Sequence, residues 1–265
     1  MFDFHTDKRR YFDIQREVTG KYIIPFFGDL LPIGKPLRVL EVGCGEAGVL
    51  KAFLDAGHQA VGVELVQSRV DTANNFLEKY IQDNRVKIIN KNIYDITEND
   101  LEFNSFDLVI LKDVIEHIPH QEKFIRELKK FLTHDGIVFF AYPPWWMPFG
   151  GHQQVCRSKY LRLLPWIHLL PKIMYRSLLR FCKEPDEVVE ELLELKKTGI
   201  IIEKMNRLVK CNGFIVLKEK YWLFNPIYKY KFKLKPRGVF PFFGRIPYVR
   251  NFYTTAHYLV FTIRM

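Results

Sequence analysis

The chain has 265 residues, 48% of them hydrophobic, so it can bury the core of one large domain or of a domain with an added lobe. Its formal net charge of +10 favours an anionic partner without naming one. No apolar stretch reaches about 18 residues, and the charged first residues are unlike a signal peptide, so we expect neither a membrane span nor a leader. The four cysteines lack metal-ligand spacing, which predicts free thiols, a cytoplasmic protein and no bound metal.

A glycine-rich turn between a predicted strand and a predicted helix is the strongest signal in the chain. The apolar run 37–42 suits a buried parallel strand, and a G-x-G-x-x-G pattern follows at Gly43, Gly45 and Gly48. This order lets a cofactor approach the backbone and a helix N-terminus. Glu41 lies two residues before the first glycine. A carboxylate there suits a cofactor with a cationic amino group better than it suits a pyrophosphate.

Three further strands are predicted in order, at 59–65, 86–96 and 106–118. Their carboxyl ends carry Glu64 and Leu65, Asn92 and Ile93, and Lys112 and Asp113. Glu64 follows the glycine turn by about 20 residues, where a carboxylate is expected on ribose hydroxyls. Four strands with intervening helices predict a doubly wound sheet that binds ligands at the carboxyl ends of its strands.

These motifs, with Cys44 and the stretch 113–117, resemble class I S-adenosylmethionine-dependent methyltransferases in order and spacing over about 37–142, and the likeness resumes near 198. The resemblance implies S-adenosyl-L-methionine as cofactor and S-adenosyl-L-homocysteine as product. It implies that Glu41 and the glycine backbone hold the methionine part and Glu64 the ribose. Many members have Asp where Asn92 stands, and Asn can also hydrogen-bond an amino group. The implied cofactor positions are Glu41, Gly43, Cys44, Gly45, Gly48, Glu64, Leu65, Asn92, Ile93 and Lys112.

The predicted architecture is an α/β, doubly wound, seven-stranded and mostly parallel sheet of Rossmann-like type. An N-terminal helical cap at 1–36 precedes the cofactor-binding core at 37–142. A helical insertion at 143–197 follows strand five, and 198–265 completes the core around a basic aromatic insertion at 225–253. Tyr11, Phe12, Tyr22 and Phe26 of the cap are interpreted as packing, although many relatives close such a segment over the cofactor.

The later elements are predicted from their patterns and end signals. Strand five is placed at 136–142, strand six at 214–224, and strand seven at 254–265, antiparallel to strand six. A helix at 198–213 is predicted to begin at Thr198 as its cap and to end at Asn212-Gly213. Another helix is predicted at 184–197, where acids come first and lysines last.

Positive charge is concentrated in the two insertions. Residues 143–183 and 224–254 each hold seven Lys or Arg and no Asp or Glu, so the rest of the chain is net negative. The stretch 159–181 is apolar and basic, and Pro165 and Pro171 should break it into short helices. It suits a packed cap, a lid over an apolar substrate, or an interfacial segment against lipid.

Strict alternation in 227–235 predicts a strand with two different faces. The lysines at 229, 231, 233 and 235 fall on one face, and Tyr228, Tyr230, Phe232 and Leu234 on the other. One interpretation is an edge strand whose lysines prevent aggregation. The other is a cationic face toward a phosphate, a membrane surface or a nucleic acid.

The catalytic and substrate candidates follow strands four and five. Asp113 and His117 come after strand four, while His152 and Gln153 follow a Gly-Gly hinge after strand five. We expect Asp113 near the reactive methyl and a histidine as the base that a hydroxyl acceptor needs. Structural roles are the alternative for both histidines. Tyr142, Trp145 and Trp146 are predicted to wall the substrate pocket.

The Tyr-Pro-Pro-Trp stretch at 142–145 resembles the Pro-Pro-aromatic loop of amino-methylating enzymes, but it follows strand five and begins with Tyr. That loop follows strand four and begins with Asp, Asn or Ser, so we interpret 142–145 as the entrance to the substrate insertion.

The leading hypothesis is methyl transfer, at oxygen, to a small or lipid-linked and anionic acceptor, with peripheral contact to an anionic membrane. RNA or DNA methylation, a non-catalytic cofactor-binding protein and an NAD-dependent dehydrogenase are the alternatives; the last is disfavoured by Glu41. The sequence does not specify the oligomeric state.

Overall fold

A computed structural model describes residues 7–31 and 34–264, and within them one eight-stranded sheet organises the chain. The strands are β1 (Arg38–Val42), β2 (Gln59–Glu64), β3 (Val86–Asn90), β4 (Phe106–Lys112), β5 (Leu132–Tyr142), β6 (Phe214–Phe224), β7 (Arg237–Gly238) and β8 (Ala256–Ile263). Their order is β3-β2-β1-β4-β5-β8-β6-β7. The first five strands are parallel, and β8 runs antiparallel to both β5 and β6. The predicted fold class and the antiparallel last strand are confirmed, and the two-residue β7 adds an eighth strand at the edge.

Helices cover both faces of the sheet. They are α1 (Lys8–Val18), α2 (Ile24–Phe27), α3 (Gly48–Asp55), α4 (Gln67–Phe76), α5 (Glu78–Gln82), α6 (Gln121–Glu127), α7 (Lys159–Leu163), α8 (Lys172–Phe181), α9 (Asp186–Thr198), α10 (Ile202–Cys211), α11 (Tyr228–Phe232) and α12 (Pro241–Gly244). Alternate residues of β1, β4 and β5 enter two separate apolar clusters, one packed by α6 and α10 and the other by α1 and α3. A sheet buried on both faces explains why its central strands read as continuous apolar runs.

The N-terminal cap docks its helix directly on the glycine turn. Asp7 caps α1 by accepting a hydrogen bond from the Arg10 backbone N–H at 2.9 Å. The Phe12 ring is buried and lies 4.9 Å from the ring of Phe76. Phe26 packs edge-on against Phe139 of β5, so the interpretation as packing agrees with the position of this ring. Residues 1–6 and 32–33 of the predicted cap lie outside the described residues, as does Met265 of the predicted last strand.

The helical insertion has a core of its own. Cys156, Leu161, Tyr175, Leu179 and Val189 are among the buried residues that hold α7, α8 and α9 together. The helices break near Pro165 and Pro171, as the proline positions predict. Within the described part of the chain, no helix is both long and apolar enough to cross a bilayer.

One predicted helix cap is wrong. Helix α9 continues through Thr198, whose hydroxyl donates to the Leu195 carbonyl at 3.2 Å, and α10 begins only at Ile202 after an extended Ile201. Thr198 therefore ends one helix instead of beginning the next. The predicted end of α10 is confirmed, because Asn212 lies at its C-cap and Gly213 follows with a φ of +74°.

The predicted strand at 227–235 is also wrong, because Tyr228–Phe232 forms the short helix α11. The helix ends at Lys233, whose backbone is left-handed with a φ of +56°. Ile227 is buried against Ile14 and Val18 of α1, and this contact anchors the segment beside the N-terminal cap. A helical turn distributes the lysines around the axis, so they do not form one cationic face.

Candidate active site

A cavity of about 610 Å³ opens at the carboxyl ends of β1, β2 and β4. All ten cofactor positions predicted from the sequence line it: Glu41, Gly43, Cys44, Gly45, Gly48, Glu64, Leu65, Asn92, Ile93 and Lys112. Helix α1 adds Tyr11, Phe12 and Gln15 to the wall. The sequence did not assign this helix to the site, because its contribution depends on how the cap folds back over the sheet.

The glycine turn requires small residues at two points. Gly43 has a φ of +70°, and a Cβ there would lie 2.7 Å from a methyl group of Val114. A Cβ on Gly48 would lie 2.6 Å from the backbone oxygen of Phe12. The first glycine therefore lets the chain turn after β1, and the second lets α1 approach the start of α3.

Two carboxylates with different environments flank this turn. Glu41 is buried at 2% exposure, and its Oε2 has no hydrogen-bond partner among the described residues. Burial raises the pKa of Glu41 well above its usual range, Glu64 adds to the increase, and Lys112 opposes it. The Glu64 carboxylate accepts the backbone N–H groups of Gly45 at 2.9 Å and Val66 at 3.0 Å. Glu64 thus fixes the loops around the cavity, while Glu41 keeps an acceptor unsatisfied.

The end of β3 supplies a capped turn to the cavity wall. Asn92 accepts a hydrogen bond from the Tyr94 backbone at 3.1 Å and caps a 3₁₀ turn that includes Ile93. Asn90, which the sequence reading did not select, donates to the carbonyls of Glu64 and Leu65, each at 3.0 Å. Asn90 therefore holds the loop after β2 in place, and only the fold reveals this role.

An ion pair lies at the end of β4. Lys112 and Asp113 are in contact through their charged groups, and Asp113 has a left-handed backbone with a φ of +56°. Burial alone would raise the pKa of Asp113, but Lys112 and, more weakly, Lys231 hold it below its usual range. Asp113 is therefore a carboxylate at neutral pH on the wall of the cavity.

Next to this pair, Glu116 and two histidines come together from different turns. The ring centroids of His117 and His152 lie 5.0 Å apart, although the residues follow different strands. Burial lowers the pKa of both imidazoles, to about 4 for His152, so both are neutral at neutral pH. Burial and the nearby Asp113 raise the pKa of Glu116 to about 8. The two predicted histidines are thus neighbours, and Glu116, which follows strand four with Asp113 and His117, lies beside them.

Residues 40–140 match a family model described as a methyltransferase domain. Among curated proteins, the ubiquinone biosynthesis O-methyltransferase of Rickettsia akari (strain Hartford) is 30% identical over 106 residues, which cover 40% of this chain and 39% of that protein. The chain thus spans about two fifths of this relative. Residues 40–140 thus resemble a methyltransferase domain, which is consistent with the predicted class I methyltransferase superfamily.

Solved structures agree with this resemblance at the level of the fold. The plantazolicin methyltransferase, solved in complex with S-adenosyl-L-homocysteine, matches with a TM-score of 0.56 and 10% identity over 99% of this chain and 88% of its own. A [4+2]-cyclase matches with a TM-score of 0.53 and 13% identity over 92% of this chain and 80% of its own. Because a cyclase shares the methyltransferase fold, the reaction has to be argued from the site itself.

The basic aromatic insertion reaches this site through α11. Lys231 lies close enough to Asp113 for the two charges to interact, and burial lowers the pKa of Lys231 to about 8. Tyr228 also lies near Asp113, which raises the tyrosine pKa further after the larger effect of burial. Tyr11 of α1 is near the same carboxylate. The predicted alternating strand concealed these contacts, because it assigned Lys231 to a solvent-facing row.

The four predicted substrate residues occupy structural positions away from the cavity wall. Tyr142 is fully buried, and its hydroxyl is 2.9 Å from Nδ1 of His257. Gln153 is buried and donates to two backbone carbonyls at 3.0 and 3.1 Å. Trp145 packs edge-on against His168 at 4.7 Å, and Trp146 lies 5.4 Å from Phe252 of the other insertion. These contacts give all four residues structural roles, and their contribution to a substrate pocket stays a prediction. The stretch after β5 joins the two insertions, and His152 lies beside the site.

Proposed function

We propose that this protein transfers a methyl group from S-adenosyl-L-methionine to an oxygen of a small-molecule or lipid-linked acceptor. The observation that carries the proposal is the composition of the 610 Å³ cavity. Its wall combines an unsatisfied buried carboxylate, Glu41, with Asp113 and His117, which adjoin the half-buried His152. A cofactor position and an acid–base cluster thus share one cavity.

The residues at the cofactor positions fit S-adenosyl-L-methionine. The buried Oε2 of Glu41 lacks a partner among the described residues, and the cationic α-amino group of the cofactor would supply one. Carboxylate oxygens accept more than one hydrogen bond, so Glu64 can bind ribose hydroxyls while it holds the loops. Asn92 and Ile93 would flank the adenine. When bound, the cofactor supplies an electrophilic methyl group on a sulfonium.

The histidine cluster provides a place for the acceptor proton. Both imidazoles are neutral at neutral pH, so His152 can accept the proton of a hydroxyl group while Asp113 stabilises the resulting imidazolium. Transfer breaks the acceptor O–H bond and the donor C–S bond, forms an O–C bond, and leaves the electron pair on sulfur. The name of the Rickettsia relative, which specifies O-methylation in ubiquinone biosynthesis, supports oxygen as the acceptor atom.

His152→Asn tests the acceptor atom. Asn tolerates the left-handed backbone at this position, where φ is +55°, so the fold should persist. We expect unchanged affinity for S-adenosyl-L-homocysteine by calorimetry and at least about a 100-fold loss of methyl transfer to a hydroxyl acceptor such as a catechol, in line with the usual contribution of a general base. His134→Asn, at a highly exposed position, is the matched control. Equal turnover in both variants would show that His152 has no role in the reaction. Methyl transfer to a carboxylate or thiol but not to a hydroxyl group would contradict a hydroxyl oxygen as the acceptor atom.

An exposed surface on the two insertions, which we call the apolar–basic face, supports a lipid-linked acceptor. Four of its apolar side chains are between 71% and 85% exposed: Leu163, Ile173, Phe181 and Phe242. The two insertions meet where the Trp166 indole donates to the Trp146 carbonyl at 3.1 Å and Trp146 packs against Phe252. Basic residues without acids surround these side chains in sequence, a pattern that suits the surface of an anionic bilayer, although Arg176 and Arg180 form ion pairs with Glu190 and Asp186 of α9.

Vesicle sedimentation tests the apolar–basic face. We expect binding to vesicles of phosphatidylcholine and phosphatidylglycerol at low salt, and weaker binding to phosphatidylcholine alone, because the attraction is partly electrostatic. Ile173→Asp should release the protein, whereas Leu217→Asp, at a partly exposed apolar position on β6, should not. Equal binding by the two variants would reject this surface. Tight, steeply salt-dependent binding to random RNA would favour the nucleic-acid alternative instead.

A further inference from the structure

Three metal-ligating side chains lie where the turn after β4 meets the turn after β5. Glu116, His117 and His152 each offer one ligand atom, and these atoms all lie within 4.8 Å of one another. Among the described residues this is the one such group of three or more. The two histidine rings are tilted toward each other by 56°, so neither stacks flat on the other.

A second feature of the same cluster indicates a missing ligand. Both carboxylate oxygens of Glu116 are buried, and neither has a hydrogen-bond partner among the described residues. Lys112, the nearby cation that acts on Glu116, is already paired with Asp113. Folded proteins rarely leave both oxygens of a buried carboxylate unsatisfied, and an ion bound at the site is a common explanation.

We propose that Glu116, His117 and His152 bind a divalent ion of the first transition series, such as zinc or manganese. Two imidazoles and one carboxylate form a donor set that suits these metals, whereas magnesium and calcium prefer oxygen ligands throughout. Ligand atoms on a tetrahedral ion are about 3.4 Å apart when each bond is about 2.1 Å. The observed separations of up to 4.8 Å therefore need only a modest approach of the side chains. Three protein ligands leave a position open for an oxygen ligand.

The position of the cluster connects this ion to the acceptor, and this part of the inference rests on the proposed function. His117 lines the cofactor cavity, while His152 begins the substrate-side insertion. An ion held by both residues lies between the cofactor positions and the insertion. A metal ion lowers the pKa of a hydroxyl group that binds to it, so an acceptor oxygen at the open position would give its proton to the neighbouring Asp113 carboxylate or to water, while His152 serves as a ligand instead of the base.

Cobalt titration of the full chain tests the site without cofactor or acceptor. Co²⁺ bound to imidazole and carboxylate gives d–d absorption bands, and we expect one ion per chain. We expect each of three substitutions to weaken Co²⁺ binding by at least about 100-fold, which is more than the loss typical of residues that only contact a ligand. They are Glu116→Gln, which keeps the side-chain shape, His117→Ala, which changes an exposed residue, and His152→Asn, which tolerates the left-handed backbone. His134→Ala, at another exposed histidine, should bind Co²⁺ like the unchanged protein.

Each result has a definite meaning. Absence of cobalt bands, or bands that survive all three cluster substitutions, would overturn the metal site. If Co²⁺ binds as expected but no methyl transfer is detected, the metal site stands and the proposed function fails. If methyl transfer to a hydroxyl proceeds after exhaustive chelation and no metal binds, the proposed function stands with His152 as base and the metal site fails.

Discussion

Glu41→Gln separates the contribution of Glu41 to stability from its contribution to cofactor binding. The side chain is 2% exposed, and one of its oxygens has no hydrogen-bond partner among the described residues. The ionised carboxylate therefore destabilises the cofactor-free protein, since burial penalises the charge more than Lys112 compensates for it. Glutamine keeps the shape and removes the charge, so we expect an equal or higher thermal midpoint in the absence of cofactor.

Cofactor affinity should change in the opposite direction. A hydrogen bond between the carboxylate and a cationic amino group contributes about 1.5–3 kcal/mol. At about 1.4 kcal/mol per tenfold, its loss weakens binding by roughly 10- to 140-fold. Calorimetric titration with S-adenosyl-L-homocysteine measures this change directly, because the product carries the same amino group as the cofactor.

Glu64→Gln provides the contrast. Its two oxygens accept the backbone N–H groups of Gly45 and Val66, so glutamine would direct its own N–H₂ group at one of these donors. We therefore expect Glu64→Gln to lower both the thermal midpoint and the affinity. A Glu41→Gln variant that melts earlier than the unchanged protein and binds S-adenosyl-L-homocysteine equally well would refute the assignment of Glu41.

The pH dependence of stability gives a second check on Glu41. Its folded-state pKa is raised, so the folded protein binds this proton more tightly than the unfolded chain does. The resulting stability is present at low pH and is lost as the pH rises from the ordinary carboxyl pKa of about 4.3 through the raised folded value. We expect the difference between Glu41→Gln and the unchanged protein to widen in favour of the variant from pH 4 to pH 7. A constant difference over this range would contradict the raised pKa.

Three further substitutions test the surroundings of the site. Gly48→Ala places a methyl group 2.6 Å from the Phe12 backbone oxygen and should lower the free energy of unfolding in urea by about 1–3 kcal/mol; no change would show that α1 is not held against α3. Glu219→Gln should lower stability at pH 7 by about 1–2 kcal/mol, because Glu219 bonds the buried His257 at 3.2 Å. Burial alone would raise the pKa of Glu219, but His257 lowers it to about 2. The stability that Glu219 contributes is therefore present above the ordinary carboxyl pKa and should disappear as the pH falls toward 2. If Glu219→Gln still lowers stability in acid, the pairing of Glu219 with His257 is refuted. Gln153→Ala removes two buried hydrogen bonds, so the thermal midpoint should fall while affinity for S-adenosyl-L-homocysteine is retained. A loss of this affinity would show that Gln153 also contributes to the binding site.

The cofactor half of the site could be predicted from the sequence because its chemistry is local. A strand, a glycine turn and a helix within about 20 residues determine where Glu41, Gly43 and Gly48 lie relative to one another. Glu64 follows at the end of the adjacent parallel strand, and parallel strands present their carboxyl ends at the same edge of a sheet. Order along the chain was therefore enough to assemble these residues around one cavity.

The other half depends on contacts between distant segments. The alternating residues at 227–235 satisfy a two-residue period, and nothing within that stretch shows that Ile227 is buried against α1 and that the segment turns into a helix. Glu116 and His152 are separated in sequence by helix α6, strand β5 and the turns around them, so their spacing resembles no metal motif. Thr198 was assigned as a cap because the pattern does not reveal that α9 runs through it.

The residues around Asp113 determine how far the acceptor can be inferred from relatives. The family match ends at residue 140, whereas His152, Lys231 and Tyr11 come from segments outside it. Helix α1 and helix α11 pack on each other through Ile14, Val18 and Ile227, so the cap and the basic insertion form one wall. The side of Asp113 that faces this wall therefore lies against residues outside the matched domain. Under the proposed function, we therefore expect the chemistry of that wall to influence the choice of acceptor, whereas residues 40–140 carry the predicted cofactor positions and the first part of the proposed acid–base cluster.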